Sequence, residues 1–183
     1  MTEPETTDPR ITDPRTTDPQ PAHDAALALD VLQRSPLHCL PGSSLHHLAD
    51  WSTITVLGAG EAIAREGDPA EAMYVVVSGL VGLRLHQRER DLTIATLGPG
   101  DLLGWSWMVE PNTWQFDAVA LEGTTLLRLG VDALRALIGS DPIAGVEITQ
   151  VMVVMLARRL RDTRVQLLDL FAAEPAEQDR GTT

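Results

Sequence analysis

Between residues 51 and 129 the chain breaks into short runs rich in β-branched residues: Ile54 and Val56; Met73, Val75 and Val77; Leu83 and Leu85; Ile94 and Leu97. Glycine turns separate these runs, at Gly58 and Gly60, Gly67, Gly79, Gly98 and Gly100, and Gly104. Residues 116–121 and 124–129 read as two further strands joined by Glu122-Gly123. This pattern constrains the fold more than any other feature. Many short strands at close, regular spacing with glycine turns predict an all-β roll or barrel. The glycines serve the turns because they tolerate positive φ, which side chains with a Cβ resist.

Helical periodicity flanks the strands. Leu27, Val31 and Leu32 recur at helical spacing before Pro36, and Leu37, Leu40, Leu45 and Leu48 suggest a short second helix with Ser43 or Ser44 as N-cap. After the last strand, Val131-Asp132 opens a segment carrying Leu134, Leu137 and Ile138. Asp141 is a good N-cap and Pro142 suits a first helical turn, so a long helix is expected from about residue 143 to 171, ended by Glu174-Pro175. The chain divides into four stretches. Residues 1–24 are expected to be a disordered acidic tail, residues 25–142 a helical lead-in and β-roll, residues 143–171 a dimerisation helix, and residues 172–183 a second disordered tail. The first tail repeats Thr7-Asp8-Pro9, Thr12-Asp13-Pro14 and Thr17-Asp18-Pro19. Proline every fifth residue excludes a helix, and little apolar surface is present to bury.

Composition narrows the function. The formal net charge is -12, and all fourteen basic residues are arginine. So acidic a chain repels phosphate backbones, and direct nucleic-acid binding is not expected. The single cysteine, Cys39, cannot form an intramolecular disulfide or hold an iron–sulfur cluster, which fits a reducing cytoplasm. No run approaches the ~20 apolar residues of a membrane span, and the N-terminus is no signal peptide. No paired nucleophile and base and no phosphate-binding loop appears, so enzyme chemistry, a metal and a cofactor are not expected. His46 and His47 are adjacent and would not share a helix face.

Gly60-Glu61, Glu66-Gly67-Asp68, Met73-Tyr74-Val75-Val76-Val77-Ser78-Gly79 and Gly98-Pro99-Gly100-Asp101-Leu102-Leu103-Gly104 together resemble the strand-and-turn signature of the cyclic-nucleotide-binding domain. Leu156-Ala157-Arg158-Arg159-Leu160 followed by Thr163 resembles the dimerising helix of Crp/Fnr-type regulators. The resemblance covers roughly residues 37–171 and implies a mainly-β jelly roll of eight strands with flanking helices and a long C-terminal dimerisation helix. It further implies a ligand site beside the segment after Gly104, where a glutamate following that glycine holds the ribose and an arginine about ten residues on pairs with the cyclic phosphate.

This sequence departs from the pattern at both points. Trp105 stands at the glutamate position, Trp114 or Gln115 falls at the arginine position, and no arginine occurs between Arg90 and Arg128. Cyclic nucleotide binding is therefore expected to be lost or altered. Trp105, Trp107 and Trp114 crowd into ten residues and suggest a pocket for an apolar small molecule, with Ser106 and Gln115 as its polar groups. The competing reading packs the indoles into the space a nucleotide would fill. A third reading retains a nucleotide through main-chain amides from Gly104 to Ser106. Thr163 falls where the family's helix reaches an adenine across the dimer. The candidate ligand-binding set is thus Gly104, Trp105, Ser106, Trp107, Trp114, Gln115 and Thr163. The cluster Arg158, Arg159, Arg161 and Arg164 reads as a solvated helix face or as a site for phosphate or an acidic partner. Asp117, among apolar neighbours, reads as a solvent-facing strand residue.

Val153, Leu160 and Leu167 at a, with Leu156, Thr163 and Leu170 at d, make a short heptad seam. A parallel homodimer follows, with packing of the same stripe on the chain's own roll as the alternative. The expected protein is a dimeric, cytoplasmic, ligand-sensing or regulatory module, without a helix-turn-helix domain of its own, that acts through a protein partner. The alternatives are a true cyclic AMP- or cyclic GMP-binding effector, and a transcription regulator that works through a separate DNA-binding protein.

Overall fold

The computed structural model describes residues 21–87 and 90–172, with side chains from 25 to 85 and from 92 to 164. The expected tail over residues 1–20 and the last eleven residues lie outside the described residues. The first helix, α1 (Pro21–Arg34), begins four residues before the boundary expected at residue 25. Its buried face runs through Ala28 and Leu32, while Leu27 points outward. Ser35 then ends α1 and starts a single 3-10 turn, Pro36–Cys39; its hydroxyl donates to the Leu32 carbonyl and accepts from the Leu37 amide.

The second helix, α2 (Gly42–Asp50), starts with Pro41 at the cap, not Ser43 or Ser44. The Ser44 hydroxyl donates instead to Asp141 Oδ2 at 2.7 Å, ninety-seven residues away. A side chain already bonded to a distant partner does not cap its own helix.

Eight strands follow among the described residues: β1 (Ser52–Leu57), β2 (Ala62–Ala64), β3 (Ala72–Ser78), β4 (Val81–Gln87), β5 (Arg90–Leu97), β6 (Leu102–Leu103), β7 (Asp117–Ala120) and β8 (Thr124–Gly130). They form two antiparallel four-stranded sheets, in the orders β1-β8-β3-β6 and β2-β7-β4-β5. Strand β8 is central to the first sheet, pairing Leu127 with Ile54 on one side and with Val75 on the other. The consecutive residues Leu126 and Leu127 are both fully buried, and so are Met73 and Val75 of β3. Since successive strand residues face opposite ways, burial of neighbours means that both faces of this sheet are covered. The hydrophobic core is one cluster that joins the sheets to all the helices.

Gly79 shows why the turns require glycine. It sits at φ +84°, and a Cβ there would collide with the Gly123 carbonyl and with Thr124.

The chain leaves the roll through α3 (Val131–Ser140) and enters the long helix α4 (Pro142–Ala172). Asp141 separates the two. Its Oδ1 accepts the amides of Ile143 and Ala144, the cap expected from the sequence, while Oδ2 takes the Ser44 hydroxyl. These three donors hold the Asp141 carboxyl below its usual range, the Ser44 bond being the largest cause. α4 packs on α3 and on the Pro36–Cys39 turn. Among the described residues no helix is long and apolar enough to cross a membrane.

Candidate functional site

β6 pairs with β3 through Leu102–Val75 and Leu103–Tyr74, and the chain then turns sharply at Gly104, φ +88°. A Cβ on Gly104 would lie 2.6 Å from the Ala72 carbonyl oxygen and 2.9 Å from the Trp114 ring. Glycine here lets the backbone cross β3 with an indole stacked over it, and it fixes the direction in which Trp105 leaves the roll.

A 3-10 turn, Ser106–Met108, follows, closed by amide bonds from Met108 to Trp105 and from Val109 to Ser106. The Asn112 side-chain amide donates to the Trp107 carbonyl at 2.8 Å. The segment after it is stitched to residues 66–70. Trp114 donates to the Asp68 carbonyl, Gly67 to the Trp114 carbonyl and Ala70 to the Asn112 carbonyl. The Glu66 amide donates to Asp117 Oδ1 at 2.8 Å in an exposed setting, so Asp117, expected to face solvent, is half-buried and also holds a neighbouring turn.

This stitching sorts the three clustered tryptophans. Trp107 and Trp114 are buried in the core, Trp114 tilted against Tyr74 with ring centroids 6.3 Å apart. The Trp107 Nε1–H has no hydrogen-bond partner among the described residues. Trp105 is half-buried and lines a cavity of about 830 Å³ between the roll and α4. That volume lies within the range usual for small-molecule sites.

Leu83, Ile94 and Leu97 on the β4–β5 hairpin form one wall, and Phe116 joins Trp105 in the lining. Val151, Met155 and Leu156 of α4 form the opposite wall, and His38 and Cys39 of the 3-10 turn close one end. Burial, together with a nearby Glu147 carboxylate, raises the Cys39 thiol above its ordinary range.

Of the seven expected ligand-binding residues, Trp105 and Thr163 meet in this cavity. Gly104 acts through its backbone turn. Ser106 is buried beside Trp107, and Gln115 faces solvent with its side-chain amide on the Thr113 carbonyl. Neither Trp114 nor Gln115, the residues at the arginine position, lines the cavity, whereas Phe116, next in the chain, does. The segment from Trp105 to Asp117 brings no positive charge to that part of the roll.

The charge comes from α4. Arg158 is exposed and lies 3.9 Å from Asp101 and 4.0 Å from Asp162. The next residue, Arg159, turns inward: its guanidinium donates to the Leu102 carbonyl at 2.9 Å and lines the cavity. Burial lowers its pKa from the ordinary value, and the nearby Asp101 carboxylate works in the opposite direction. The reading of the arginine cluster as a solvated face therefore fails at Arg159. No periodicity in the sequence marks it, because its partner is a backbone carbonyl fifty-seven residues away.

The expected dimer seam also divides. Val153 and Leu160 are each 60% exposed in the single chain, whereas Leu156 is half-buried in the cavity wall. Thr163, at the cavity rim, donates to the Arg159 carbonyl at 2.9 Å, a bond that satisfies its hydroxyl within the helix. The side chains of Leu167 and Leu170 lie outside the described residues. Among the described residues, no group of three or more His, Cys, Asp or Glu side chains is placed to hold a metal.

A jelly roll of two antiparallel sheets, flanked by helices and with a cavity against its C-terminal helix, defines the fold class of this protein. Residues 54–141, which span most of the β-roll, match the family model described as the cyclic nucleotide-binding domain. The "Cyclic AMP receptor protein" of Thermus thermophilus is 37% identical over 64% of this chain and 52% of its own length. The crystal structure of the N-terminal domain of a transcriptional regulator from Streptomyces coelicolor superposes with a TM-score of 0.59 at 26% identity, covering 82% of this chain and all of that one. A cyclic nucleotide-binding domain from Methylobacillus flagellatus shares the fold, with a TM-score of 0.68 at 20% identity over 85% of this chain and 86% of its own. The chain spans about half the length of the curated relatives it matches most strongly.

Proposed function

We propose that this domain is a dimeric ligand sensor, a binding module and not a catalyst, whose specificity has moved away from cyclic nucleotides. One observation carries the reading: a single helix, α4, supplies one wall of the cavity through Met155, Leu156 and Arg159 and also presents the exposed apolar residues Val153 and Leu160. A ligand in the cavity touches the element through which a second copy would dock. Altered specificity is supported by Trp105 at the position of the ribose glutamate and by Trp114 or Gln115 at the position of the phosphate arginine, with Trp105 and Phe116 as aromatic rings in the cavity lining. A hydrogen bond to a charged group contributes about 1.5–3 kcal/mol, so loss of two such partners weakens a nucleotide by roughly two to four decades. With a net charge of -12, a role in transcription would run through a partner that contacts the DNA.

A second reading, a cyclic AMP effector, is favoured by the position of Thr163 at the cavity rim and by the name of the Thermus thermophilus relative. Calorimetry with cyclic AMP and cyclic GMP decides between the two. Millimolar or weaker binding of both is expected, together with a saturable change in tryptophan emission on adding an apolar compound that is lost in Trp105→Ala. Micromolar affinity for either nucleotide would favour the second reading over the first.

A further inference from the structure

The cavity between the roll and α4 is mainly apolar, yet a guanidinium is built into its lining. Among the described residues Arg159 is held there by a hydrogen bond to the Leu102 carbonyl, which occupies a small part of its donor capacity. Guanidinium carries five N–H donors in a planar fork that matches carboxylate, sulfonate or phosphate oxygens. The Trp105 and Phe116 rings and the aliphatic side chains of Leu83, Ile94 and Met155 line the same cavity.

The acidic groups facing the cavity are placed unevenly. Asp101 adjoins Arg159, but its two oxygens already take the Gly98 amide and the Arg158 side chain. Asp162 pairs with Arg158 at 4.0 Å, and both are exposed side chains at the rim of the cavity. Glu147 lies twelve residues before Arg159, about 18 Å away along the helix, at the Cys39 end. The cavity is therefore elongated, with a cation at the Trp105 end and a carboxylate at the other.

We propose that Arg159 is the anion anchor of this site, and that the ligand is an anion with an aromatic or aliphatic body, its charged head at Arg159 and its body against Trp105, Phe116 and the β4–β5 wall. This rests on the reading of the cavity as a ligand site. The positive charge then sits on the dimer helix and not on the roll, so binding the head ties α4 directly to the segment after β6. A ligand's charge, and not its bulk alone, would set how firmly α4 is held against the roll.

Two dyes of similar shape test the assignment: 8-anilinonaphthalene-1-sulfonate, which is anionic, and N-phenyl-1-naphthylamine, which is neutral. Both are followed by energy transfer from tryptophan. The parent is expected to bind the anionic dye about tenfold more tightly than the neutral one, the preference a single charge-assisted bond provides. Arg159→Gln, which keeps an amide able to reach the Leu102 carbonyl, should abolish that preference and leave the neutral dye unchanged. Arg159→Lys should retain part of it. Arg158→Gln should alter it less than twofold. An anionic preference that persists in R159Q, or falls equally in R158Q, overturns the assignment, because the charge is then read elsewhere. Loss of both dyes in R159Q with an unchanged denaturation midpoint also overturns it, since the arginine would then shape the cavity and not bind the anion. If neither dye binds the parent, the ligand-site reading itself fails and this assignment falls with it. Dodecanoate and cyclic AMP, run as competitors on parent and R159Q, separate the sources of the anion. Displacement by dodecanoate at the lower concentration, weakened about tenfold in R159Q, is expected. Displacement by micromolar cyclic AMP that survives R159Q would place the phosphate away from Arg159 and overturn the proposal.

Discussion

The two halves of α4 are continuous in backbone and opposite in environment. Up to Met152 the helix is part of the core: Ala144 and Ile148 are fully buried, and Val151 and Met152 nearly so. Beyond Met152 the fully buried positions stop among the described residues. Met155, Leu156 and Arg159 border the cavity, Val154 and Leu160 stand exposed at its rim, and Val153 faces outward. The first half is held by close packing, which tolerates little change in volume. The second is held by a cavity wall and by one arginine–carbonyl bond, an arrangement that leaves room for a ligand and a face for a partner. A helix rooted in a core and projecting from it can report a binding event without unfolding its base.

The largest effect expected from this contrast is on stability. Ile148→Ala removes three methyl or methylene groups from a fully buried site in the first half, and should lower the free energy of unfolding by about 2–5 kcal/mol. Chemical denaturation of this variant beside Leu160→Ala checks the contrast; an equal loss from the exposed residue would erase it. Next in size is an effect on assembly. Leu160→Asp places two carboxylates across an apolar seam and should convert dimers to monomers by light scattering, while changing the stability of the single chain by no more than about 0.5 kcal/mol. A monomeric parent, or a variant that stays dimeric, breaks the assignment of this half as the interface.

The smallest effect concerns the junction at the base. The Asp141 carboxyl is held below its usual value of 3.8 by Ser44 and by the amides of Ala144 and Ile143. A carboxyl with a depressed folded-state pKa contributes stability that is full above 3.8 and is lost as the pH falls below 3.8 and through the folded value. Asp141→Asn should flatten that part of the acid-unfolding curve, followed by circular dichroism. An unchanged acid slope would remove Asp141 from the set of groups that root α4.

Local pattern foretold the rooted half of the molecule better than the projecting half. The β-branched runs, the glycine turns, the Asp141 cap and the extent of α4 each rest on a residue's own conformational preference, or on neighbours within a few positions, and these the sequence displays. The cavity does not. Three tryptophans within ten residues look alike in sequence, yet the turn at Gly104 sends Trp105 outward while the bonds to residues 66–70 draw Trp114 into the core. Phe116 carries no mark in the sequence, and Arg159 is marked only as one of a cluster of four arginines that could be a solvated face or a phosphate site; what singles it out, the Leu102 carbonyl, lies far away in the chain. Ser44 was misjudged as a cap because its actual partner, Asp141, lies across the fold. Of the heptad positions, Val153 and Leu160 are exposed in the single chain, while Leu156 is drawn onto the cavity wall, a placement that the heptad pattern does not display.

The carboxylate of Asp141 grips the start of α4 with one oxygen and α2 with the other. Mechanically this is a pinned fulcrum. The long helix cannot swivel about its first turn without dragging the N-terminal helices along or breaking that grip. Leverage exerted on the far arm is therefore met at a fixed bearing, and the compliant part of the lever is the stretch beyond Met152, where the arm leaves the core.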